Sequence, residues 1–164
     1  MKVSVFTSLG KFTLSLFPKD APKTVKNFSA YVDEEFYNGT IFHRVIDGFM
    51  IQGGGFEEGI IEKPTRSSIT NEADNGLSNK ALTIAMARTS EPHSASSQFF
   101  INLVDNTFLD FRSETVEGWG YAVFGKVISG EETIFKIGKV ETGTRGFFQD
   151  VPVKPITIKK IVKL

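Results

Sequence analysis

The sequence has no cysteine among its 164 residues, only two histidines, and one tryptophan. Without thiols there is no disulfide, thiolate nucleophile, iron–sulfur cluster or thiolate zinc site, and the redox compartment is left open. Neither sign of charge is in excess, since 19 basic side chains balance 19 acidic ones. A chain so balanced lacks the basic surplus that marks nucleic-acid or anionic-membrane binding. Long hydrophobic runs are missing too: no apolar stretch reaches the length of a membrane span, and Met1–Thr7 meets polar residues and Gly10 before a signal-like core develops. The expectation is a soluble, cytoplasmic, monomeric protein with no membrane or nucleic-acid partner. What is abundant is phenylalanine, with sixteen copies. Its side chain has no polar handle, so each must fill a core or line an apolar recess.

The length suits one domain over residues 1–164, large enough to bury a core unaided. Val3 to Thr7 and Phe12 to Leu16 read as strands of a hairpin turning at Ser8-Leu9-Gly10. Asp20 is positioned as the N-cap of a helix from about Ala21 to Glu34, with Pro22 in its first turn and Val25, Phe28 and Val32 on one stripe. Apolar runs at Ile41 to Ile46 and Phe49 to Gln52 flank an Asp47-Gly48 turn. From Gly53 to Asn79 the pattern weakens, as it does in a functional loop or one hiding short irregular elements. Strand signals return at Ala81 to Ala87, Gln98 to Val104, Tyr121 to Ile128 and Ile156 to Leu164, with a short helix at Gly130 to Ile137. About seven or eight strands, two helices and no regular βα alternation predict a mainly β, antiparallel barrel or sandwich.

Several chemistries can be set aside. Gln52-Gly53-Gly54-Gly55 lacks the Lys-Ser/Thr and following helix of a phosphate loop, so a tight turn is expected there. His43 and His93 lack metal-ligand spacing and read as packed or surface imidazoles. Ser94, Ser96 and Ser97 beside His93 form a polar loop without a third triad member. Glu57-Glu58 and Glu131-Glu132 read as solvated pairs. Arg44 is the residue that resists a bland account. If Ile41 to Ile46 is a strand, Arg44 shares a face with Phe42 and Ile46, which places a permanent charge on an apolar surface. An edge position from which the side chain reaches water fits the pattern equally well.

The run Phe42-His43-Arg44-Val45-Ile46-Asp47-Gly48-Phe49-Met50-Ile51-Gln52-Gly53-Gly54 closely resembles the signature of the cyclophilins, peptidyl-prolyl cis-trans isomerases. The likeness continues in order through Met86-Ala87, Ser97-Gln98-Phe99-Phe100-Ile101, Phe108-Leu109-Asp110 and Val123-Phe124-Gly125-Lys126-Val127. Asn71 to Leu77 and Gly118-Trp119-Gly120-Tyr121 look more like the bacterial cytosolic branch than the animal one.

That resemblance implies an eight-stranded antiparallel barrel capped by two helices, with the site on its outer surface. It implies catalytic roles for Arg44 and Gln52, and a proline-binding set of Phe49, Met50, Ala87, Arg88, Gln98, Phe100, Phe108, Leu109 and Tyr121. The expected partners are proline-containing peptides and folding proteins, with neither cofactor nor metal. Tyr121 stands where many members have His, and Phe108 where the animal proteins have Trp. Cyclosporin-type inhibitors use that indole N–H, and Phe offers no donor, so weak cyclosporin binding is expected. Two rivals differ in class: a proline-peptide binding module in which turnover is incidental, and a β-barrel carrying a small ligand inside. Retention of Arg44 and Gln52 favours the enzyme over the binder. The bulk of Phe, Leu and Ile argues against a hollow barrel.

Overall fold

The computed structural model describes residues 1–164. Strands β1 (Lys2–Thr7) and β2 (Gly10–Leu16) form the opening hairpin, with Gly10 at φ +134°. Val3, Val5, Phe12, Leu14 and Leu16 turn inward. Helix α1 (Pro22–Asp33) follows and buries Val25, Phe28, Tyr31 and Val32.

Asp20 does not cap this helix. The Ala21 N–H donates to the Phe17 carbonyl at 2.9 Å, so the chain is already turning, and Asp20 falls one residue too early and stays exposed. Ala21 holds the N-cap position without a side-chain bond. The free amides are met instead from far along the chain. The Glu72 carboxylate accepts from Thr24 N–H and Thr24 Oγ1, each at 2.7 Å, and from Lys23 N–H at 3.3 Å.

Next come β3 (Arg44–Ile46) and β4 (Met50–Gly53), joined through Asp47-Gly48. A two-residue ladder pairs β5 (Phe56–Glu57) with β6 (Ile61–Glu62). The run to Asn79 is otherwise irregular apart from a 3₁₀ turn at Ala73–Asn75. Strands β7 (Thr83–Met86), β8 (Phe99–Asn102) and β9 (Val123–Ser129) precede helix α2 (Glu131–Gly138). A second hairpin, β10 (Thr142–Arg145) with β11 (Phe148–Pro152), escapes the sequence pattern because β10 is polar throughout. Strand β12 (Ile158–Lys163) closes the chain.

Eight strands form one antiparallel sheet in the order β12-β1-β2-β9-β7-β8-β4-β3. It curls until its two ends meet: Ile41 bridges Thr157, and the Phe42 N–H donates to the Ile156 carbonyl at 3.0 Å. A cluster of 27 buried residues fills the space between the curled sheet and the helices, among them Phe12, Phe28, Phe42, Phe99, Phe124, Ile84 and Ile101. The reading of a barrel with a ligand inside is thereby overturned, since side chains occupy the interior. Neither helix is long and apolar enough to cross a membrane.

Strands β4, β7 and β8 are apolar on both faces. Ile51, Ile84, Met86, Phe99 and Ile101 point into the core, whereas Met50, Ala85, Phe100 and neighbouring Val123 of β9 form a separate outer cluster. Strict alternation therefore produces an unbroken apolar run, half serving the core and half an outer surface.

Candidate active site

The outer cluster floors an open recess of about 160 Å³ lined by Arg44, Phe49, Met50, Gln52, Ala87, Arg88, Phe100, Leu109 and Tyr121. These are nine of the eleven residues expected from sequence. The remaining two stand just outside. Gln98 lies behind Gln52 and accepts its side-chain amide at 2.9 Å, while Phe108 flanks the opening, stacked on Phe49 with centroids 6.0 Å apart.

Register explains how three strands deliver the polar end of the recess. Arg44 on β3 pairs with Gln52 on β4, which pairs in turn with Phe100 on β8. The Arg44 Nη1 donates to Gln52 Oε1 at 3.4 Å, so a guanidinium, Gln52 and Gln98 form one chain of donors and acceptors. Arg44 is exposed, and β3 is the edge strand of the sheet. The edge-strand account and the functional one are thus compatible. Phe42, however, does not share Arg44's face: it precedes the regular strand, breaks the alternation and is fully buried in the core, leaving only Ile46 beside Arg44.

The glycines at the end of β4 serve close approach, with a turn at Gly54, whose φ is +90°. A Cβ on Gly55 would come within 2.5 Å of Gln98 Cγ, so the bare backbone makes room for the side chain that holds Gln52. The phosphate reading stays excluded, as no helix follows.

The opposite end is built by Arg88 and Tyr121. Arg88 Nε and Nη2 donate to the Gly120 carbonyl at 3.0 and 2.9 Å, and Nη1 donates to the Thr89 carbonyl at 2.9 Å. Its guanidinium carbon lies 4.4 Å from the centre of the Tyr121 ring, which meets Phe100 edge-on at 5.7 Å. Arg88 therefore holds Tyr121 by cation–π contact.

One supporting network has no local signature in the sequence. Asn102 donates to Asn79 Oδ1 at 3.1 Å and to Thr83 Oγ1 at 3.0 Å, and Asn106 donates to Asn102 Oδ1 at 2.9 Å and to the Phe49 carbonyl at 3.0 Å. Asn79 also donates to the Leu109 and Tyr121 carbonyls at 3.3 and 3.2 Å. These buried amides fix the backbones that present Phe49, Leu109 and Tyr121. Their partners lie 19 to 57 positions apart apart from one local pair, a separation that no spacing rule reads.

His43 is packed, as expected, against Phe56 with ring centroids 4.6 Å apart. Its Nδ1 is buried without a partner. Burial first, and the neighbouring Arg44 charge second, lower its pKa to about 4. His93 accepts the Asn71 N–H at 3.0 Å through Nδ1 and meets Trp119 edge-on, so it braces a loop. Ser97 is fully buried, while Ser94 Oγ is bonded to Thr89 and to the Glu91 carbonyl; neither faces a histidine in a triad arrangement.

Comparison with known proteins bears on this geometry. The family model for cyclophilin type peptidyl-prolyl cis-trans isomerases matches residues 2–163. Peptidyl-prolyl cis-trans isomerase B of Escherichia coli is 54% identical over 159 residues, covering 97% of each chain. Peptidyl-prolyl cis-trans isomerase cyp18 of Streptomyces antibioticus is 55% identical over 157 residues, covering 96% of this chain and 95% of that protein. A crystal structure of a Cryptosporidium parvum cyclophilin type isomerase, determined in the presence of the dipeptide Ala-Pro, superposes with a TM-score of 0.81 at 29% identity, covering 99% of this chain and 98% of that one.

Proposed function

The chain belongs to the cyclophilin-type peptidyl-prolyl cis-trans isomerases, and from that membership we propose that the recess floored by Met50 and Phe100 is where a proline ring is held while its peptide bond turns. The observation that carries this assignment is the joining, in one small apolar recess, of a proline-sized floor with the Arg44–Gln52–Gln98 chain at its rim. The related Cryptosporidium parvum structure, determined in the presence of the dipeptide Ala-Pro, supports the same substrate class.

The chemistry follows from the amide. An Xaa-Pro bond turns over a barrier of about 20 kcal/mol, so the unaided reaction takes tens of seconds or more. At the twisted transition state conjugation is lost and the proline nitrogen regains a lone pair. Arg44 is always protonated and donates to that nitrogen, which accepts poorly in the planar ground state. The bond is catalytic because it is stronger at the transition state than in the substrate. Gln52, tied to Gln98, offers polar atoms to the rotating carbonyl while Phe49, Met50, Phe100 and Leu109 grip the ring.

Magnitudes show that Arg44 does not act alone. An acceleration of about 10⁴ to 10⁵ corresponds to ~6–7 kcal/mol, whereas one charge-assisted hydrogen bond contributes ~1.5–3 kcal/mol. The remainder falls to fixing the ring and to an apolar surface that favours the less dipolar twisted amide. No covalent bond is made or broken, and the proposed machinery needs no nucleophile.

We take residues 1–164 to work as one unit, a cytoplasmic monomer acting on folding chains; cell fractionation and sedimentation test that setting. The site itself is tested by NMR exchange on an Ala-Pro peptide. Arg44→Ala should lower catalysed exchange at least about tenfold with an unchanged circular dichroism spectrum. Equal exchange in both proteins would overturn the role of Arg44. Peptide binding without exchange enhancement in the parent would instead point to a binding module.

A further inference from the structure

The recess carries two guanidiniums and no carboxylate. Arg44 and Arg88 both line it, no Asp or Glu does, and neither arginine takes part in any of the protein's ion pairs. They stand at opposite ends. From β3, which bears Arg44, the sheet steps through β4 and β8 to β7, whose extension past Met86 bears Arg88. Three steps at the usual strand spacing make roughly 14 Å across the strands, and Arg88 lies three positions further along from Ala85, the residue in register with Arg44 through Gln52 and Phe100.

Arg88 is also unusually well fixed for an arginine at a surface recess. Three of its donors are committed to the Gly120 and Thr89 carbonyls, and its plane rests over Tyr121. A guanidinium has five N–H donors, so about two are left over. It is only part-exposed, and these spare donors have no anionic partner within the protein.

We propose that Arg88 is a specificity-determining residue that selects substrates carrying an acidic side chain about three residues from the proline. The assignment rests on the recess being the proline site. With the ring on Phe100, which is in register with Ala85 on the adjacent strand, Arg88 lies one strand across and three positions along, roughly 11 Å away in backbone terms, which is about three residues of extended chain at ~3.3–3.6 Å each. A carboxylate there accepts the spare donors of a group already immobilised, so little side-chain entropy is lost on binding. Arg44 at the far end adds a field of the same sign, and a basic residue in either place meets repulsion.

The test compares kcat/KM, by NMR exchange, for seven-residue peptides with central Ala-Pro and Glu, Ala or Lys three positions before or three after the proline. In the parent the Glu peptide of one flank should exceed its Ala counterpart about five- to tenfold, with Lys below both, and the ratio should shrink as salt is raised. In Arg88→Gln the Glu-to-Ala ratio should fall to about one, and Arg88→Lys should restore part of it. A parent that turns over all the peptides equally, or a ratio that survives in Arg88→Gln, overturns the proposal. A parent that turns over none of them refutes the reading of the recess as the proline site instead.

Discussion

Tyr121 is held in the recess by its ring: the Arg88 guanidinium lies over its face and Phe100 meets its edge. Tyr121→Phe keeps both, so catalysed exchange should stay within about tenfold of the parent, or ~1.4 kcal/mol. A near-complete loss would give the hydroxyl a catalytic task. Phe108 presents the converse case, being 68% exposed and held only by stacking on Phe49. It has surface to offer a ligand but no donor. Calorimetry with cyclosporin should find weak binding to the parent and tighter binding to Phe108→Trp; equal, tight binding to both would refute the role given to the missing indole N–H.

At the scale of the element, helix α1 depends on a carboxylate 48 residues beyond Thr24. Removing it leaves orphaned amides in the first turn, so Glu72→Ala should lower stability by about 1–2 kcal/mol. Asp20→Ala, at the residue the sequence nominates as the cap, should be close to neutral. Urea midpoints for the two variants decide between them, and the reverse order would restore the local cap. The contrast also marks the limit of what could be read in advance. Strands β4 and β8 were legible because their side chains carry the family-like pattern in consecutive residues. Arg44 and Gln52 were nominated from the same run, and the structure adds that they are cross-strand partners. Glu72, Asn79 and Asn106 act on residues remote in sequence, and an isolated carboxylate or amide looks the same whether it meets a helix end, another amide or water. Hairpin β10–β11 was missed for a different reason: its residues are largely exposed, so burial imposes no alternation on them.

For the molecule as a whole, His43 makes stability depend on pH. Its pKa in the fold is about 4, below the ordinary 6.5, so the folded protein keeps it neutral where the unfolded chain takes up a proton. Its contribution is intact above pH 6.5, is lost as pH falls towards 4, and changes no further below that. The gap corresponds to roughly 3 kcal/mol. Urea unfolding at pH 7.5 and 4.5 should show a drop that is much smaller in His43→Leu, and the His43 ring should not titrate by NMR near pH 6.5. A normal titration there would refute its burial in solution. The two-faced strands have a consequence of another kind. Because β4 and β8 are apolar on both sides, hydrophobicity alone scarcely tells their faces apart. A slip of one residue exchanges them. It would drive Gln52 into the barrel interior, and the same slip in β3 would bury Arg44, at the steep cost of an unpaired charge away from water. The two polar residues at the rim of the recess thus also set the strand register, because each makes the slipped alignment of its own strand costlier than the native one.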